Sequence, residues 1–286
     1  MNIKYFNNVK KDTPKLLLLL PFFLLTLLLV VAPLITIVIK SLSPNQEGNW
    51  DVANNWNFID ENLMTKIFMS IIIALATSFF CLIIGYPFAY FLSLSKRLSF
   101  KILCVSLITS PIWISFLVRL VGLKTLFDAI ADKPNSTYGD IFTIIALVYM
   151  NLPLFILTIY TYINSIPKNL LEASRDLGKN SFQTFFYVIV PYTKNAIISG
   201  LTLVFLPSIT IAGVSRFMNN SNNGDLIGDT TLQQGQAALV SEIALARVSS
   251  LCLLLCAIIL ILFSVFILIP KIIKNYKLNK KEVKNA

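Results

Sequence analysis

The sequence predicts an all-α membrane protein with six transmembrane helices, and three observations carry that expectation. Six apolar runs long enough to cross a ~30 Å hydrocarbon layer recur along 286 residues, of which 56% are hydrophobic and only 13% charged. Basic residues gather in the short segments beside those runs. Between the fourth and fifth runs lies EASRDLGKNSFQTFFYVIVP, residues 172–191, too polar to span and too regularly patterned for a slack loop.

The chain opens on a basic head, MNIKYFNNVKKDTPK, residues 1–15, followed by the apolar run Leu16 to Ile39. That run is about 24 residues long and no small-residue cleavage motif follows it, so it reads as a retained first span rather than a signal peptide. The next runs are Ile67 to Leu92, Phe100 to Val121, Ile141 to Ile163, Ala196 to Val214, and Ile243 to Ile269. Pro207 in the fifth does not exclude spanning, because neighbouring helices or polar side chains can satisfy the carbonyl it frees. The membrane domain is therefore expected over 16–269, with a basic tail at 270–286 that stops transfer and touches anionic lipid.

Orientation follows from the cations. With the N-terminus cytoplasmic, the inside segments 1–15, 93–99 with Lys101, 164–195 and 270–286 hold 17 of the 24 Lys and Arg residues, so both termini are expected in the cytoplasm of a multi-pass cell-membrane protein. The outside segments are 40–66, 122–140 and 215–242. The first contains Trp50, Trp56 and Phe58, suited to a lipid interface; the third is expected to loop before a short amphipathic piece from about Leu232.

Composition excludes several functions. A net charge of +10 suits nucleic acid only if the cations share a surface, and here they flank spans. There is no histidine, and Cys81, Cys104, Cys252 and Cys256 all lie inside apolar stretches as small buried hydrophobes, so no metal set is expected. No GxxxxGK[ST] loop is present, so the chain binds no ATP itself; neither nucleotide nor Mg is a cofactor of this chain.

The 165–191 stretch reads as two short helices joined at a bend. Ser165 and Pro167 start the first, on which Leu170, Leu171, Ser174 and Leu177 share a face with Glu172, Arg175, Asp176 and Lys179 off it. Gly178 breaks the pattern, Asn180 or Ser181 caps a second helix, and Phe182, Phe185, Phe186 and Ile189 form its apolar stripe. Such a piece can serve as a lever for a cytoplasmic partner or lie as a plain amphipathic connection on the membrane surface.

Glu172-Ala173-Ser174, three positions, Gly178, nine positions, then Val188-Ile189-Val190-Pro191 resemble the EAA signature of transmembrane permeases from ABC importers. Ser174 stands in for the second alanine, and Val188 and Val190 for Ile and Leu. The resemblance implies a type I ABC importer permease fold with a cytoplasmic coupling helix seated in a cleft of an ATPase subunit. It places Glu172 and Ala173 at the docking surface, with Ser174 beside them, lets Gly178 bend, and has Pro191 end the element. Glu172 is then an anchor and not a catalytic acid.

More of the chain resembles the B-type permeases of spermidine/putrescine importers: SPIWISFLVRLVGLK at 110–124, LVYMNLPLFILTIYTYINSIPKNLLEASRDLG at 147–178, and Leu226-Ile227-Gly228. That subgroup carries an aspartate near the position of Arg216, where this chain has a cation. The resemblance implies an ABC ATPase dimer, a second related C-type permease that completes the passage, an external binding protein or lipoprotein that sets selectivity, and a polyamine substrate. Trp113, Arg119, Tyr149, Asn151 and Tyr160 are the candidate substrate-pathway residues: aromatic faces and amide carbonyls of Trp113, Tyr149, Asn151 and Tyr160 suit alkylammonium groups, though each can equally be a packing or interface residue, and Arg119 is either a partner in the pore or gate or an interface residue snorkelling to headgroups. Arg119 and Arg247 are the main charges in or near a span.

Three other classes of protein are less compatible with this sequence. A stand-alone secondary transporter of a small cationic solute has Pro87, Pro153 and Pro207 as possible breaks, yet no acidic residue lies mid-span to hold a coupling ion. A membrane-embedded enzyme lacks acid/base and metal centres. A structural protein has no use for a patterned lever.

Overall fold

The computed structural model describes residues 20–43, 52–57, 59–130, 136–219 and 225–285, and they are helical throughout except for short turns. Trp50, Phe58 and the basic head lie outside the described residues, as do the first four residues of the expected first span. The helices are α1 (Leu20–Leu42), α2 (Glu61–Leu94), α3 (Leu98–Thr109), α4 (Phe116–Ile130), α5 (Ser136–Asn164), α6 (Lys168–Asp176), α7 (Ser181–Thr210), α8 (Val214–Met218), α9 (Ile227–Ala237) and α10 (Glu242–Asn285). Among the described residues five helices are long and apolar enough to cross a membrane, or six if the bent pair α3–α4 is one span. In none is more than 44% of the most apolar stretch buried within the chain. Large apolar side chains facing outward at this density suit a hydrocarbon surrounding, not water.

Two expected elements differ from what forms. The third run does not continue straight from Phe100 to Val121: α3 passes into a 3-10 turn at Ser110–Trp113, Ile114 is extended, and α4 leaves at 97°. Pro111 lacks the N–H that would continue the ladder, and the Ser115 carbonyl restarts it by accepting from Arg119 N–H. The 215–242 segment is not a loop as far as Leu232. It holds α8 and then α9 from Ile227, because Leu226, Ile227, Gly228 and Asp229 are all buried.

The chain divides into two compact units, residues 1–58 with 234–258, and residues 59–233 with 259–286. In the first, α1 is followed by a 3-10 turn at Val52–Asn55, and buried Asn55 donates from Nδ2 to the carbonyls of Ser41 and Ser43, both at 3.2 Å, tying the end of α1 to the turn.

The second unit is built on α2, α5 and α7. Phe155 of α5 is fully buried between glycines of the other two helices. A Cβ on Gly85 would stand 2.6 Å from the Phe155 ring, and one on Gly200 3.0 Å from its other edge. With no driving force between helices in lipid, close approach at small residues supplies the dispersion contact that holds them. Cys81, Tyr86 and Ala89 of α2, Ile156, Ile159 and Ile163 of α5, and Ile189, Ala196 and Val204 of α7 complete this cluster. A second cluster joins Ile73, Leu147 and Met150 to Leu120 and Phe127 of α4 and Val214 and Met218 of α8, with Phe127 stacked on Phe142 at 4.4 Å. Asn151 bridges α5 to α7, donating from Nδ2 to Ser208 Oγ at 3.3 Å and to the Leu147 carbonyl. Thr77, Ser78, Thr143 and Ser208 return their hydroxyls to carbonyls four residues back, which lets them sit in apolar surroundings.

Gly85→Ala and Gly200→Ala should each lower unfolding stability in detergent by about 1–3 kcal/mol, with Gly85→Ala the worse. Gly122→Ala in α4, where a Cβ meets nothing within 4 Å, should be neutral or slightly stabilising. Thermal unfolding of the three variants checks the order.

Candidate functional site

The 165–191 stretch forms a helix–turn–helix whose turn is set by backbone hydrogen bonding. α6 ends in a Schellman motif: Gly178 N–H donates to the Arg175 carbonyl at 2.8 Å and Lys179 N–H to the Ser174 carbonyl at 3.2 Å. The motif needs a left-handed residue at its turn, and Gly178 has φ +76° with nothing within 4 Å of where a Cβ would be. Asn180 then caps α7, its own N–H donating to Gln183 Oε1 at 3.2 Å.

The two apolar stripes are split by the packing. On α6, Leu171 faces the bundle and Ser174 is buried, while Leu170 and Leu177 are exposed. On α7, Phe185 and Ile189 face inward and Phe182 and Phe186 outward, their rings in contact at 4.7 Å. Glu172 and Ala173 are exposed. An open concavity lies beside them, walled by Ala173, Leu177, Lys179, Tyr187 and Tyr192, with Lys179 Nζ 4.9 Å from the Tyr187 ring centroid.

Buried hydroxyls brace the turn. Ser174 Oγ and Thr184 Oγ1 lie 3.0 Å apart, joining α6 to α7 across the bend. Phe185 packs against Tyr86 and Tyr90 of α2, with centroids 5.5 and 4.6 Å away, and Tyr86 Oη is 2.8 Å from Thr193 Oγ1. Thr184, Tyr86, Tyr90 and Thr193 were absent from the sequence-based candidates. Their partners lie ten to more than a hundred residues away, and no local period signals such a pairing.

Pro191 does not end the element. The chain is helical from Ser181 through Thr210, with a π turn at Phe185–Ile189 just before the proline. The wider turn, closed by Val190 N–H to the Phe185 carbonyl, reorganises the ladder where Pro191 can donate nothing.

The candidate substrate-pathway residues are not gathered into one site. Trp113 is almost fully exposed on the 3-10 turn between α3 and α4. Arg119 lies in the first turn of α4, its Nε and Nη1 buried without a hydrogen-bond partner among the described residues. Tyr149 and Tyr160 share a face of α5 but stand about 16 Å apart along it. Tyr149 is exposed, whereas Tyr160 packs against the core. Asn151 is spent in the α5–α7 bridge.

At the far end of α7 a buried carboxylate organises the chain. Asp229 accepts from Gly213 N–H on one oxygen and from Leu226 N–H at 3.4 Å on the other, with Gly213 at φ +93°. Burial pushes the Asp229 carboxyl above the usual range, opposed by those two N–H donors. Ile227 N–H donates to Ser70 Oγ of α2 at 3.0 Å, and Gly228 lies so close to the Ile211 carbonyl that a side chain has no room. Arg216, half exposed, pairs with Asp225 at 3.4 Å. Among the described residues no three His, Cys, Asp or Glu side chains come together as a metal site.

A multi-span helical bundle with a separately braced helix–turn–helix between two of its long helices is the architecture of an all-α membrane protein. The sequence profile described as binding-protein-dependent transport system inner membrane component matches residues 15–274, and the chain belongs to that family. It is similar to the spermidine/putrescine transport system permease protein PotB homolog of Mycoplasma genitalium, 32% identical over 266 residues that cover 90% of this chain and 93% of the relative. It is also similar to PotB of Escherichia coli, 34% identical over 185 residues, 59% of this chain and 66% of the relative. Its fold matches a chain of a bacterial ABC transporter involved in import of the acidic polysaccharide alginate, with a TM-score of 0.66 at 13% identity over 94% of this chain and 98% of that one. The protein is thus a transmembrane permease subunit of an ABC importer, a transport component and not an enzyme.

Replacing Asp229 by Ala leaves two backbone N–H groups without their acceptor, at about 1–3 kcal/mol per buried group. Amide exchange should accelerate at 211–219 and 225–229 and stay unchanged through 174–190. Equal acceleration in both segments would mean that Asp229 serves global stability instead.

Proposed function

We propose that this permease imports polyamines, spermidine or putrescine, and that residues 165–191 couple it to a separate ATPase. The observation that carries the coupling is the exposed Glu172–Ala173 edge of α6, presented beside an open concavity by a glycine turn that only one backbone handedness allows. The polyamine assignment is supported by the PotB-type relatives. In this reading α3–α4 form one broken span, so that six spans put both termini and the lever in the cytoplasm, with the basic flanks inside. An ATPase dimer draws together on ATP, Glu172 and Ala173 follow its docking clefts, and the bundle opens outward. A second related permease, PotC-like, completes the passage, and an external PotD-like binding protein delivers the substrate. ATP and Mg stay with the ATPase.

Reconstitution of the four components in liposomes tests the proposal through ATP-dependent uptake across a polyamine panel. Proline cannot take φ +76°, so Gly178→Pro should abolish uptake while the ATPase alone keeps its basal turnover. Unchanged uptake in that variant would sink the coupling reading, and saturable uptake of non-cationic solutes alone would sink the substrate.

A further inference from the structure

The π turn at Phe185–Ile189 separates a four-residue stub of α7, which belongs to the turn with α6, from the long part of α7 in the bundle. With the ladder re-registered there and Pro191 removing another donor, α7 is a poor rigid rod at this joint. α2 spans the joint. Phe185, the first residue of the π turn, rests on Tyr86 and Tyr90, and beyond the turn Tyr86 Oη meets Thr193 Oγ1. Thr193 Oγ1 also lies 2.9 Å from the Ile189 carbonyl, so whichever hydroxyl donates between Tyr86 and Thr193, the pair ties α2 to the backbone of the π turn. Tyr86 is 6% exposed and Thr193 fully buried, in apolar surroundings where phenylalanine would fill nearly the same volume. Packing alone therefore does not call for the phenol. Gly85, next in the chain, is the notch that receives Phe155, so a tilt of α2 at Tyr86 reaches α5 directly.

We propose that Tyr86 is a positioning residue that passes lever movement to α2. It does so by holding both sides of the π joint, through its ring at Phe185 and its hydroxyl at Thr193. Ser174 and Thr184 make the lever itself stiff enough to push. The inference rests on the assignment of 165–191 as the coupling element and adds where its motion goes.

The test measures substrate uptake per ATP hydrolysed in the reconstituted four-component assembly. Tyr86→Phe and Thr193→Val should each lower that ratio about fivefold while assembly and ATP turnover persist. The double variant should be no worse than Thr193→Val alone, because that substitution already removes the Tyr86–Thr193 bond that Tyr86→Phe removes, and Thr193→Ser should restore the ratio. An unchanged ratio in Tyr86→Phe, or single effects that multiply in the double variant, would overturn the proposal. Should Tyr86→Phe not assemble, Thr193→Val against Thr193→Ser gives the same decision. Absence of ATP-dependent uptake in the wild-type assembly, or full uptake in Gly178→Pro, would instead reject the coupling element itself.

Discussion

The larger unit depends on one wedge, Phe155 between Gly85 and Gly200. In hydrocarbon two helices gain nothing by hiding apolar surface from water, so they stay together through close contact and through polar groups that find partners across the interface. An aromatic ring filling two notches brings α2, α5 and α7 to short separation at one level. The Asn151–Ser208 bridge and the Tyr86–Thr193 pair act toward opposite ends of the same seam. The lever at one end of α7 and the Asp229 clip at the other are both attached to those three helices.

The runs that became α1, α2, α5 and α10 were legible because length and apolarity alone decide whether a helix can span. The break between α3 and α4 was not, since Pro111 lies within a run whose composition is the same on both sides and spanning helices tolerate proline elsewhere, as α5 does at Pro153. The same tolerance explains Pro191. A stop was expected there, and a π turn carried the helix through. The lever's start, its glycine turn and its Asn180 cap were readable because each has a local backbone reason. Which half of each apolar stripe faces inward was not, because Leu170 and Leu171, or Phe185 and Phe186, are equivalent until the bundle chooses a side.

The substrate-pathway candidates fared differently because residue chemistry does not encode gathering. Aromatic rings and amides suit a polyamine, but they equally suit the seams of a helical bundle. Asn151 and Tyr160 went to the seams, whereas Trp113 stayed on the surface. Asp229 shows the converse: an acid beside a glycine, unremarkable in a polar segment, becomes the acceptor that gives that segment its shape.

Gly178 stands in a left-handed backbone conformation, with nothing within 4 Å of where an L residue's Cβ would be. What this position selects is chirality and not size. A D-amino acid, whose preferred torsions mirror those of its L counterpart, adopts this backbone conformation without strain and has fewer unfolded conformations to give up than glycine has. Semisynthesis with D-alanine at 178 would thus yield a tighter hinge of unchanged shape, a route closed to ribosomal substitution.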